Sequence, residues 1–254
     1  MFDDTALDDP SALASIDPVL REVASWGAEV RRAMDEAADA LSQLSTRDRP
    51  RAVIAGGADG RLFRAVLEPV CPVPFVAWPH PGLPGWAGPL DLVVMMSVDG
   101  SDQDALMLVA EAVRRGCSLL VAGSPDSALA AAAASRDTTL LPVTTGDATA
   151  LAVPVLRALH RLGFGPEVEV DSVASALDDV AERCAAANPV DMNPAKEIAL
   201  ALADDVPVVW GGSVLAARAA RRVAEALRAA CGRPAIAGID SQLVPLLERA
   251  PEPD

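Results

Sequence analysis

Three loops place glycine or serine just before a helix, where free backbone N–H groups can bind an anion such as a phosphate. Each loop follows a short apolar run that favours a β-strand, and open parallel sheets bind ligands at the carboxyl ends of their strands. The sequence therefore predicts a ligand site in these loops. The candidate residues are Gly56 and Gly57 in the first loop (residues 55–60), Ser97, Gly100 and Ser101 in the second (residues 97–104), and Gly211, Gly212 and Ser213 in the third (residues 211–213).

The first loop, A-G-G-A-D-G, lets its backbone approach a ligand closely because glycine has no side chain. It matches neither the dinucleotide-binding pattern G-x-G-x-x-G nor a phosphate-binding loop with its Lys and Ser or Thr. Two interpretations follow: a ligand-binding loop, or an ordinary tight turn between a strand and a helix.

The second loop carries carboxylates beside its hydroxyls. Ser101 and Asp104 have the S-x-x-D spacing that predicts a helix-capping box. Asp99 and Asp102 would also stabilise the electropositive start of the helix, whereas each carboxylate would repel a phosphate. The second loop is thus predicted to be either a helix cap or an anion site.

The third loop precedes a helix that carries Arg218, Arg221 and Arg222, and no acidic residue follows until Glu225. Glycine, a hydroxyl and a helix N-terminus make it the better local site for an anion. The alternative is a plain N-cap followed by solvated arginines.

Lys196 lies in the first turn of a helix predicted to begin after Asn193, with Pro194 at its first position. A cation is unfavourable there because the helix N-terminus is electropositive. Lys196 is therefore expected either to pair with a carboxylate or a ligand, or to be exposed to solvent.

Few other residues suggest catalysis. His80 lies in a rigid loop between two prolines, and His160 lies near a helix C-terminus, where a cation is favourable. Spacing reveals no Ser-His-Asp set and no carboxylate pair. With two histidines and no C-x-x-C pair, neither a metal site nor a cofactor is predicted. The four cysteines are Cys71, Cys117, Cys184 and Cys231.

The elements that would position these loops are short continuous apolar runs alternating with helices. This pattern predicts an α/β fold with a parallel sheet covered on both faces. A long amphipathic helix is predicted over residues 17–44. Strands are predicted at 52–55, 73–76, 90–96, 118–122 and 139–143, with two more at 206–210 and 233–237.

The predicted organisation has four parts. Residues 1–47 form an N-terminal tail and helix, 48–162 a first sheet domain, 163–188 a linker helix, and 189–254 a second, partial domain. Residues 1–16 are expected to be frayed. Because two parallel strands cannot cover their own edges, the second domain is expected to need neighbours from the first sheet, a second subunit or a longer chain.

Composition excludes several functions. The 254 residues carry a formal charge of −15 and no tyrosine. A nucleic-acid surface is therefore not expected, nor is binding to an anionic membrane. No apolar run approaches the ~20 residues of a membrane span, and the acidic N-terminus does not resemble a secretory signal. Widely spaced cysteines predict a cytoplasmic protein.

The motifs AVIAGGADG, LDLVVMMSVDGSDQDAL, CSLLVAGS, NPAKEIALAL and VPVVWGG occur in an order that resembles the sugar isomerase (SIS) domain superfamily. More narrowly, the chain is similar to bifunctional phosphoglucose/phosphomannose isomerases and their actinobacterial relatives. The resemblance implies a doubly wound, flavodoxin-like fold with two SIS units, the second incomplete. It also implies a homodimer that interconverts aldose and ketose 6-phosphates without a metal.

The phosphate-binding positions of the family are altered in this chain. By this alignment, Asp59 and Asp99 stand where the family has serine. Ser101 and Asp102 replace its asparagine and threonine, while Ser97 and Gly100 match. The pocket that the resemblance implies for a phosphate is therefore expected to be acidic.

The catalytic positions are altered as well. Arg222 aligns with the family's arginine, but the proton-transferring glutamate falls on Ala229, and the ring-opening histidine has no counterpart after Ala235. The sequence thus predicts a carbohydrate-derivative (sugar phosphate) binding protein with degraded catalytic residues, a binding or regulatory role, and Lys196 and Arg222 as supporting residues. One alternative is an active isomerase whose base is Glu225, one helical turn before Ala229. The other is a structural partner protein without a ligand.

Overall fold

The structure is a computed structural model that describes residues 4–45 and 49–249, without the side chain of Leu247. The chain forms two compact units. We call Pro18–Glu182 the central unit, and Met1–Asp17 together with Arg183–Asp254 the terminal unit. The boundary predicted between residues 47 and 48 lies outside the described residues.

The elements alternate as the apolar pattern predicts. The helices are α1 (Pro10–Leu13), α2 (Asp17–Ser42), α3 (Gly60–Leu67), α4 (Gln103–Arg115), α5 (Ala128–Ala132), α6 (Ala148–Arg161), α7 (Val170–Arg183), α8 (Pro194–Ala201), α9 (Val214–Cys231) and α10 (Asp240–Leu247). The strands are β1 (Val53–Gly56), β2 (Phe75–Trp78), β3 (Leu92–Met96), β4 (Ser118–Gly123), β5 (Thr138–Pro142), β6 (Val208–Trp210) and β7 (Ile236–Gly238).

The central unit is built on a five-stranded parallel sheet of order β2-β1-β3-β4-β5. Val53 of β1 lies opposite Phe75 of β2 and Leu92 of β3. This is the flavodoxin-like strand order, so the predicted α/β class is confirmed. The order reverses between β1 and β3, and the crevice at their carboxyl ends is where such sheets bind ligands.

The inner strands β1, β3 and β4 are buried on both faces of the sheet, which explains why they are almost continuously apolar. Side chains alternate along β1: Val53 and Ala55 pack into one core, and Ile54 packs into the other. The first core contains residues of α2, α3, α6 and α7, and the second contains residues of α4 and α5.

Helix α2 ends within two residues of its predicted end. Its buried side chains Val30, Ala33, Ala37 and Leu41 recur every three or four residues and form one apolar stripe. That stripe fixes which face of α2 meets the sheet core.

The terminal unit contains the parallel pair β6 and β7, with Val208 opposite Ile236. Residues 1–16 were expected to be frayed, and for the described part that expectation is wrong. Residues Asp4–Leu7 form a 3-10 turn, and α1 follows. Asp9 caps α1 by accepting the N–H of Ser11 at 2.9 Å. None of the helices in the described ranges is long and apolar enough to cross a membrane.

Candidate functional site

A cleft of about 370 Å³ opens at the carboxyl ends of β1, β2 and β3 in the central unit. It brings together the first and second loops, which lie about 40 residues apart in sequence. Of the predicted site residues, Gly56, Gly57 and Ser97 line this cleft directly. Gly100 and Ser101 belong to the second loop, as Ser97 does, but they are not part of the cleft lining.

The first loop turns sharply from β1 into α3. Gly57 has a φ of +74°, a left-handed conformation that favours glycine, and its N–H donates to the Trp78 carbonyl at 3.1 Å. An added Cβ on Gly56 would lie 2.7 Å from both Leu108 Cδ1 and Met95 Cε, so those two flexible side chains would have to shift to admit it. The loop is therefore a tight turn whose surface also forms part of the cleft.

The second loop is organised around Asp99. Its Oδ1 accepts the Ser97 hydroxyl and the Ser101 N–H, each at 3.1 Å, and its Oδ2 accepts the Ser101 hydroxyl at 3.1 Å. Ser97 Oγ in turn accepts the N–H of Gly100 at 3.0 Å. These bonds, led by the Ser101 N–H, lower the pKa of the Asp99 carboxyl.

The capping box predicted for Ser101 and Asp104 is wrong. Asp102 is the N-cap of α4, and its Oδ1 accepts the N–H of Ala105 at 2.9 Å. Ser101 cannot cap the helix because it lies one residue too early. Asp104 falls in the first turn and lines the cleft.

His80 lies on the wall of the cleft that follows β2. Its ring contacts Trp78 edge to face, with centroids 5.0 Å apart. Trp78 Nε1 donates to the Gly82 carbonyl at 3.0 Å, which holds the loop in place. Sequence reasoning singled out His80 because of its flanking prolines but did not place it beside the two loops.

The cleft is strongly acidic. Asp59, Asp99, Asp102 and Asp104 all line it, and His80 is its one basic side chain among the described lining residues. Asp59 makes no capping bond to α3. Four carboxylates make the cleft unfavourable for a phosphate and favourable for groups that donate hydrogen bonds.

The floor of the cleft was missed by sequence reasoning. Met95 from β3 and Leu108 from α4 form this apolar floor, and both side chains are almost fully buried. A signal was present, because Asp104 and Leu108 are four residues apart and share one face of α4.

The third loop lies in the terminal unit. Ser213 caps α9, because its Oγ accepts the N–H of Ala216 at 3.1 Å. A Cβ on Gly211 would lie 2.4 Å from the Ala216 carbonyl carbon, so glycine is required there by close packing, whereas Gly212 has open space. These contacts are those of an N-cap.

The arginines that follow do not converge on the third loop. Arg218 lies 3.7 Å from Glu225, two turns further along α9. Glu225, the candidate catalytic base, is thus engaged by a neighbouring cation, while Arg221 and Arg222 are exposed.

Lys196 is buried rather than exposed. Its Nζ donates to Asp8 Oδ1 at 2.7 Å, to the Ala186 carbonyl at 2.9 Å and to the Asn188 carbonyl at 2.8 Å. Asn193 caps α8 as predicted. Of the two expectations for Lys196, pairing with a carboxylate is therefore confirmed.

No family model matches the sequence, and no curated protein sequence matches it significantly. Solved structures do match. A Silicibacter pomeroyi protein described as a phosphosugar isomerase superposes with a TM-score of 0.64 at 15% identity, over 89% of this chain and 72% of that one.

Two further matches have assigned activities. Tagatose-6-phosphate ketose/aldose isomerase from Escherichia coli gives a TM-score of 0.57 at 16% identity, over 88% of this chain and 68% of the enzyme. The C-terminal domain of glucosamine-fructose-6-phosphate aminotransferase from Francisella tularensis gives a TM-score of 0.59 at 14% identity, over 90% of this chain and 72% of that domain. The chain has the SIS fold. The SIS resemblance is thus confirmed at the level of fold, and the narrower similarity to phosphoglucose/phosphomannose isomerases stays a prediction.

Proposed function

We propose that this SIS-fold protein binds a carbohydrate derivative related to the sugar phosphates in the cleft of the central unit. The observation that carries the proposal is the position of the cleft, at the crevice where the strand order reverses. Polar oxygens surround an apolar floor there, a combination that suits a sugar ring with its hydroxyl groups.

The proposed role is binding or regulation without aldose–ketose isomerisation. Isomerisation needs a carboxylate or another base free to move a proton. Two of the cleft carboxylates are engaged, because Asp99 accepts three hydrogen bonds and Asp102 caps α4, and Glu225 lies 3.7 Å from Arg218. Asp59, Asp104 and His80 are the other titratable side chains of the cleft lining, and the turnover measurement below tests them as bases. Lys196 was predicted to support ligand binding, but its hydrogen bonds lie within the terminal unit. Arg222 remains a proposed supporting residue of the ligand site.

Binding and turnover are tested together on the full chain. Glucose, glucose 6-phosphate and mannose 6-phosphate are each titrated into the protein by calorimetry, and product formation is followed by NMR. We expect at least one of these sugars to bind and neither phosphate ester to be converted. Ser97→Ala, in the cleft, should weaken binding, whereas Ser42→Ala, at the exposed last residue of α2, should not. Turnover at ordinary enzymatic rates, or binding insensitive to Ser97→Ala, would contradict the proposal.

A homodimer is part of the proposal. In the terminal unit, Trp210, Val214 and Leu215 are 55%, 55% and 50% exposed, beside a two-stranded sheet. Apolar side chains gathered in this way favour contact with another protein surface. Light scattering should give the mass of two chains, and Trp210→Asp should give one, whereas Trp86→Asp in the central unit should leave the dimer intact.

A reducing cytoplasmic location is also proposed. It is supported by the four cysteines, all of which are free thiols.

A further inference from the structure

Asp99 accepts three of the hydrogen bonds that donors of the second loop can make. Two hydroxyls, from Ser97 and Ser101, and the Ser101 N–H all donate to its carboxylate. These are the kinds of donor that bind a phosphate oxygen in a loop before a helix. The second loop therefore holds an anion, and that anion is part of the chain.

The loop is fixed in this arrangement by Gly100. Its φ is +64°, and an added Cβ would lie 2.3 Å from Ser127 Cβ, so the backbone is packed tightly against the loop before α5. The Gly100 N–H also donates to Ser97 Oγ, and the Gly100 carbonyl accepts the N–H of Leu129 at 3.0 Å. The donors around Asp99 are therefore held in position by the backbone.

The surroundings oppose a second anion. Asp59, Asp102 and Asp104 line the same cleft, and the described lining residues include neither lysine nor arginine. A phosphate would have to displace the Asp99 carboxylate and then remain beside it and three others. Sugar hydroxyls meet no such penalty, because they can donate to carboxylate oxygens.

We propose that Asp99 occupies the anion position of this cleft with its own carboxylate and thereby makes the cleft selective for an unphosphorylated sugar. This inference rests on the proposed function and deepens it. Asp99 acts as a specificity-determining residue: the sugar ring binds over the apolar floor, its hydroxyls donate to the cleft carboxylates, and a phosphate ester is rejected.

The experiment compares three probes, inorganic phosphate, glucose and glucose 6-phosphate, on four forms of the full chain by calorimetry at constant ionic strength. The variants are Asp99→Ser, Asp99→Asn and the control Asp126→Ser, which removes one exposed charge outside the cleft lining. Asp99→Asn keeps an acceptor oxygen for the loop and so serves if Asp99→Ser fails to fold.

The wild type should bind glucose at least about tenfold more tightly than glucose 6-phosphate. Each Asp99 variant should gain at least about tenfold in affinity for phosphate and for glucose 6-phosphate, while its affinity for glucose changes far less. Asp126→Ser should behave as the wild type. Wild-type binding of glucose 6-phosphate as tight as that of glucose, or Asp99 variants that gain no phosphate affinity, would overturn the inference.

The outcomes separate this inference from the proposed function. If the Asp99 variants gain phosphate binding while no form binds any sugar, the role of Asp99 stands and the proposed function fails. If the wild type binds both sugars equally and the Asp99 variants change neither affinity, the proposed function stands and the role of Asp99 fails.

Discussion

Lys196→Met should loosen the terminal unit far more than the loss of its carboxylate partner does. The Lys196 side chain is 7% exposed, and its ammonium donates to Asp8 and to the carbonyls of Ala186 and Asn188. Methionine has similar length but donates no hydrogen bond, so three acceptors lose a charged donor.

The magnitude follows from the burial of each group. A hydrogen bond to a charged group contributes about 1.5–3 kcal/mol. The Asp8 side chain is 53% exposed, so water can replace most of the hydrogen bonding that its carboxylate loses with the ammonium. The two carbonyls lose more, and we expect Lys196→Met to cost about 2–4 kcal/mol. Asp8→Asn should lower the stability by about 1 kcal/mol or less, because the Lys196 ammonium still donates hydrogen bonds to both carbonyls.

Hydrogen–deuterium exchange of the amides of α8 measures this effect locally. A cost of about 2–4 kcal/mol accelerates exchange roughly 30- to 1,000-fold when exchange follows the local opening equilibrium. The control Glu197→Gln removes an exposed charge in the same helical turn, and because it loses only a helix-dipole contribution of about 0.3–1 kcal/mol, it should accelerate exchange no more than about fivefold. If Asp8→Asn accelerated exchange as much as Lys196→Met, the two carbonyls would not be the main partners, and this reasoning would be refuted.

Two other substitutions test the central unit. Gly100→Ala should destabilise it by about 1–3 kcal/mol, because alanine is strained at a φ of +64° and its Cβ would collide with Ser127. A lower melting temperature and lost sugar binding would show this, while Gly146→Ala, where a Cβ meets open space, should melt as the wild type. The Thr144 N–H lowers the pKa of Glu36 from 4.5, so the stability contributed by Glu36 is present above about pH 4.5 and is lost as pH falls through the lower folded pKa. Glu36→Gln should therefore reduce the loss of stability in acid, and equal acid sensitivity of both proteins in melting experiments would contradict that role.

The fold was predictable because burial on both faces of a parallel sheet leaves a direct signal in the sequence. β1, β2, β3 and most of β4 lie in continuous apolar runs, and α2 has a helical stripe, whereas β5 begins with two threonines. β2 was placed two residues early, because Val73 and Pro74 lie in the irregular segment before it.

The contacts of single polar side chains were less predictable. Serine and aspartate both cap helices, so the choice between Ser101 and Asp102 depends on backbone angles that spacing does not show. The carboxylate that pairs with Lys196 lies 188 residues away, on a segment expected to be frayed. Sequence reasoning identified the acidic character of the second loop, but not that Asp99 binds both neighbouring hydroxyls.

The most direct test of the proposed function is a crystal structure of the protein soaked with glucose. We expect a sugar ring over Met95 and Leu108, with hydroxyl groups directed at the carboxylates of the second loop. A sugar seated at residues 211–213, with the cleft of the central unit empty, would contradict it.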